Sequence, residues 1–159
     1  IFVGYSIGSS PIISFHFGAK NKPELRNMFR KSTLLMAILG VVMTLSALLL
    51  AKPLAKLFVG YDAGLYTLTY EAFRLYSIAF LFTGMNISAS SLFTALNNGT
   101  ISAAISFLRT LVFQIGAVLL LPELVGVNGL WLATFAAESC ALVVSLIFVF
   151  ANRKEYGYF

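Results

Sequence analysis

Apolar residues in this chain fall into long unbroken runs, not the three-to-four alternation of a water-facing helix. The run at 32–51 contains no charged residue. About 20 such residues span the hydrocarbon core of a bilayer. Similar runs occupy 100–121 and 130–151, and a longer helix is predicted over 66–97. Residues 1–19 are apolar with His16 as the only titratable side chain, which reads as the end of an earlier span. The pattern therefore predicts one partial and four complete transmembrane helices. Turn and interface residues separate them: Lys52, Pro53, Lys56, Gly60, Asp62 and Gly64, then Asn97-Asn98-Gly99, then Pro122-Glu123 and Gly126-Val127-Asn128-Gly129. Pro23 suits the first turn of a helix, where a missing N–H is harmless. Short connections make sequential helices antiparallel neighbours. The fold class is an all-α integral membrane protein, a polytopic helix bundle in one unit over 1–159, with no separate soluble domain.

Composition agrees. Of the residues, 59% are hydrophobic and 11% charged, with mean hydropathy +0.89. A soluble domain carries roughly 25% charged residues and could not hide this much apolar surface. The net charge of +5 would suit nucleic acid in a soluble protein, but here the basic residues gather at span ends, so no nucleic-acid partner is expected. Lys20, Lys22, Arg26, Arg30, Lys31, Arg153 and Lys154 share one side, against Lys52 and Lys56 on the other. That bias predicts a multi-pass protein of the plasma (inner) membrane with a cytoplasmic C-terminus. A lone Cys140 and a lone His16 exclude a disulfide framework and a His-His metal pair. No nucleophile elbow, zinc helix motif or phosphate-binding loop is present, so neither an enzyme nor a cofactor is expected. The chain opens at Ile1 inside an apolar stretch without an initiator Met or the charged start of a signal peptide, which predicts a piece of a longer protein.

Charges deep in a span are costly and usually functional. Arg109 and Glu138 each lie about ten residues into neighbouring antiparallel helices, so both are predicted about 15 Å deep. They are expected to pair. The pair either has a structural role, or lets Glu138 hold a proton or cation under the influence of Arg109. Polar residues also recur at helical spacing. Thr83, Asn86, Ser90, Thr94 and Asn97 form one stripe; Ser102, Ser106, Thr110 and Gln114 a second; Trp131, Thr134, Glu138 and Ser145 a third; Ser6, Ser10 and Ser14 a fourth. Each alone reads as glue between helices. Together they are expected to converge on a wet cavity, with Glu138, Arg109, Asn86, Gln114 and Ser90 as candidate substrate or ion ligands. Gly4-x-x-x-Gly8 fits a close helix contact, Glu71 and Arg74 an interfacial pair at i,i+3 spacing, and His16 an ordinary interfacial residue.

The stretch Gly8-Ser9-Ser10-Pro11-Ile12-Ile13-Ser14-Phe15-His16-Phe17-Gly18-Ala19-Lys20-Asn21 resembles a segment of the multidrug and toxic compound extrusion (MATE) family, in which it closes a helix before a basic cytoplasmic loop. Leu108-Arg109-Thr110, the run Gly126–Ala133, and Ala137-Glu138 resemble that family's last two helices. The resemblance implies the C-terminal lobe of a twelve-helix, two-lobe transporter, from the end of helix eight onward. It implies an antiporter that exchanges H⁺ or Na⁺ for a small organic cation by alternating access, with the N-terminal lobe of the same chain and the lipid bilayer as partners. Asn86 stands where some members carry an acidic cation ligand, so ion coupling would depend on Glu138 or on the other lobe. Gln114 stands where a less polar residue is usual and would shape substrate choice. Two other readings remain: a lipid-linked saccharide flippase of related architecture, and a structural membrane protein with no transport.

Overall fold

The computed structural model describes all 159 residues. Every element is helical. The order is α1 (Phe2–Gly18), α2 (Lys22–Val59), α3 (Ala63–Ser77), α4 (Phe80–Ala95), α5 (Gly99–Phe107), a π-helical segment (Leu108–Phe113), α6 (Gln114–Val125) and α7 (Val127–Tyr156). Three unbroken stretches are long and apolar enough to cross a membrane: Lys22–Val59, Gly99–Val125 and Val127–Tyr156. A bent pair, Ala63–Ser77 with Phe80–Ala95, makes a fourth.

The helices overrun their apolar runs. The side chain of Asn21 accepts from the Glu24 backbone N–H, and Pro23 enters the first turn, so α2 starts well before its charge-free stretch. It continues through Pro53, which the sequence places in a connection, and ends at Gly60. Asp62 then caps α3 by accepting from Leu65 N–H. At the other end of the molecule, Asn97 adopts a left-handed conformation (φ 61°) and Asn98 caps α5. Its Nδ2 donates to the Tyr156 hydroxyl, tying that turn to the end of α7. Between α6 and α7 the connection shrinks to Gly126 alone, at φ 70°.

The helix expected over 66–97 is broken. Its halves meet at 44°. Thr44 of α2 donates to the carbonyl of Ser77, the last residue of α3, and Gly40 of α2 lies against the Phe80 and Leu81 backbone. A side chain inserted into the helical hydrogen-bond ladder is a recognised cause of a kink. The bend makes α4 the centre of the bundle, with α1, α2, α5 and α7 around it. Buried apolar residues concentrate at the basic end, where Leu25, Leu92, Phe93, Leu96, Ile105 and Tyr158 form the main core.

Several local expectations change. The spaces beside Gly4 and Gly8 are open, so that spacing brings no helix close within this chain. Glu71 and Arg74 form no ion pair; the Arg74 guanidinium lies over the Tyr70 ring instead, 5.6 Å from its centre. An aromatic face one turn away competes well for an exposed arginine.

Candidate functional site

Arg109 is the second residue of the π segment and Glu138 lies near the middle of α7. They form the one ion pair in the chain. Arg109 donates to Glu138 Oε1 from Nε (3.0 Å) and from Nη2 (2.7 Å). Asn86, fully buried on α4, donates from Nδ2 to Oε2 of the same carboxylate (2.6 Å) and to the Glu138 backbone carbonyl (2.9 Å). Ser145, two turns along α7, donates to Asn86 Oδ1 (3.0 Å). Three helical elements thus converge on one carboxyl group, and both of its oxygens are engaged.

The burial is asymmetric. The Glu138 side chain is 6% exposed and that of Arg109 is 26% exposed. Placing a bare carboxylate in so apolar a setting costs several kcal/mol unless it is paired and hydrogen-bonded. Arg109 supplies the charge, and Asn86 holds the second oxygen without adding charge. The π turn has a local geometric role: it widens the helix where Arg109 must reach α7. π turns inside α-helices recur at functional sites.

The other candidates are placed as follows. Gln114 donates to Thr134 on α7, one turn before Glu138 along the same face (3.3 Å). Ser90 joins a hydroxyl ladder between α4 and α5, within 2.9 Å of both Ser102 and Ser106 Oγ, and Thr94 lies 2.7 Å from Ser102 Oγ. Ser14 donates to the Ala95 carbonyl and Ser91 to the Ser6 carbonyl, joining α1 to α4. These stripes are largely consumed in contacts between helices. A cavity opens between α2 and α7, lined by Arg26, Arg30, Thr33, Ser88 and Ser145 among apolar residues, so of the stripe residues only Ser145 reaches it. His16 packs edge-on against Phe15, and its Nδ1 is buried without a partner. Sequence spacing identified Ser145 only as a stripe member; its link to Asn86 depends on how α4 packs on α7.

Residues 1–119 match the family model described as MatE. The chain belongs to the MatE family. No curated protein matches it. Among solved structures, it is similar to the Vibrio cholerae MATE transporter VcmN in its bent form, at 21% identity and a TM-score of 0.87. That match covers 99% of this chain and 36% of VcmN, so the chain spans about a third of the length of the structure it resembles. At that identity the likeness establishes the fold: a helix bundle of MatE architecture, of which this chain accounts for one part.

Proposed function

We propose that this chain forms the C-terminal lobe of a secondary active transporter that exports small organic cations in exchange for H⁺ or Na⁺ by alternating access. Family membership and the MATE-transporter likeness support transport. The buried Arg109–Glu138–Asn86 cluster supports the cation chemistry. The exposed quarter of the Arg109 side chain would be costly against lipid, so it is read as facing a polar space completed by the rest of the transporter.

Glu138 offers one carboxylate with one internal cation. A proton, a sodium ion or a cationic substrate that binds Oε1 must displace Arg109, while Asn86 keeps its bond to Oε2 and holds the carboxyl in place. Mutually exclusive occupancy of one group is the elementary requirement for exchange. No cofactor is involved on this reading; the coupling ion is the only co-reactant. The membrane is the plasma membrane, with the basic end and C-terminus cytoplasmic.

The test is uptake of a fluorescent organic cation by inside-out vesicles under a proton gradient and, separately, a sodium gradient. Gradient-driven uptake that is lost in Glu138→Gln at equal protein level supports the proposal. No uptake by the unmodified protein under either gradient rejects it and favours the saccharide-lipid flippase.

A further inference from the structure

We infer that the cavity between α2 and α7 at the basic end is a binding site for one anionic phospholipid from the adjoining leaflet. The two helices flank α4, and a space of about 650 Å³ opens between them, floored by Met85, Ser88, Ala89 and Leu92 of α4. Such a volume lies within the usual range for a specific small-molecule site. Leu34 and Leu146 on its flanks are exposed at the surface of the bundle. The cavity reaches from Arg26 to Ala37 along α2, which at the helical rise is about 16 Å. That depth is close to half the hydrocarbon thickness of a bilayer, the depth of a single leaflet.

The mouth carries charge of one sign. Arg26 and Arg30 line it from one face of α2, no Asp or Glu side chain lines it, and neither arginine has an ion-pair partner. The C-terminal residues wall this end. Gly157 takes a left-handed turn (φ 70°), and Tyr158 and Phe159 pack on Phe29 at 5.1 and 5.2 Å between ring centres. An apolar slot one leaflet deep, with two free guanidinium groups at its mouth, matches a phosphate headgroup above an acyl chain. A lysine-rich interface alone would explain the charge but not the slot beneath it.

The intact protein is reconstituted in bilayers of phosphatidylglycerol and phosphatidylcholine, released gently, and its retained lipid is identified by native mass spectrometry. One retained phosphatidylglycerol, selected over phosphatidylcholine, is the expected result. Arg26→Gln/Arg30→Gln should weaken retention about thirty-fold, given about 1 kcal/mol per basic residue. Ala89→Phe should reduce it by filling the floor while leaving both arginines. Arg153→Gln/Lys154→Gln removes equal charge at the same end outside the slot and should leave retention unchanged. Inorganic phosphate should not displace the lipid. Equal loss in the Arg153/Lys154 variant, retention that survives Arg26→Gln/Arg30→Gln, displacement by phosphate, or no retained lipid because the rest of the transporter covers the slot would each overturn the inference. Transport activity is not the readout, so failure here leaves the exchange proposal standing on its own test.

Discussion

At the residue scale, the Arg109–Glu138 pair is best judged by what each partner leaves behind. Arg109→Met strands a buried carboxylate whose Oε1 loses both donors. Breaking a buried pair in this way costs about 3–5 kcal/mol, whereas replacing both partners is often neutral. The expected outcome is a large loss of thermal stability in detergent for Arg109→Met and a smaller loss for Arg109→Met/Glu138→Gln; equal losses would show that the charges do not couple. Asn86→Asp is a sharper probe. It sets a second carboxylate against Oε2, where the amide now sits at 2.6 Å. Arg109, already bonded to Oε1, cannot neutralise two carboxylates this close. The variant should be less stable than the parent at low ionic strength and regain stability as Na⁺ is added, with no such gain from an equal concentration of choline. Asn86 is therefore the residue that keeps this network satisfied by one arginine.

At the element scale, Gly129 marks where two helices approach too closely for any side chain. A Cβ on Gly129 would collide with the Leu121 carbonyl of α6, which is backbone and cannot move aside. Gly129→Ala should therefore destabilise the α6–α7 pair by about 1–3 kcal/mol, measured as a lower unfolding midpoint. Gly116→Ala meets open space on α6 and is the control; within the chain its effect should be small. The spans themselves were legible from sequence because an uncharged apolar run of bilayer length is stable in little but a bilayer. The break at Ile78–Ala79 was not legible. Phe80, Leu81 and Phe82 continue the apolar run, and no Pro or strong turn signal stands there. The bend is imposed from outside, by Thr44 and Gly40 of α2. The π segment is likewise silent in sequence, because its register shift is a property of the packed helix and not of Leu108–Phe113 as residue types.

At the scale of the whole molecule, the C-terminal tail closes one end of the bundle. Burial, with Tyr156 and Glu155 nearby, pushes the Tyr158 phenol above its ordinary pKa of about 10, and its hydroxyl donates to the Val149 carbonyl at 2.8 Å. The fold favours the neutral phenol. Its contribution is therefore complete below the ordinary tyrosine range and is lost as pH rises through the higher folded value. Trypsin cleavage after Lys154 should accelerate at strongly alkaline pH in the parent chain once tryptic activity is normalised. In Tyr158→Phe, cleavage should be modestly faster at neutral pH and show less of that alkaline increase. If both chains respond identically, the tail is held by other contacts.

The sequence alone determined the membrane-spanning, all-helical class and put Arg109 and Glu138 at matching positions along neighbouring helices. Each of these depends on local composition and on the fixed rise of a helix. Those positions predicted that the two charges could meet, because antiparallel neighbours of known length place equal depths side by side. Only the tertiary structure decided that Asn86 and Ser145 complete the cluster and that the other polar stripes serve as ladders between helices. It also decided that a cavity opens between α2 and α7. Those outcomes depend on which face of α4 turns toward which neighbour, and that rotation is set by packing around the bend, which no single run of residues encodes.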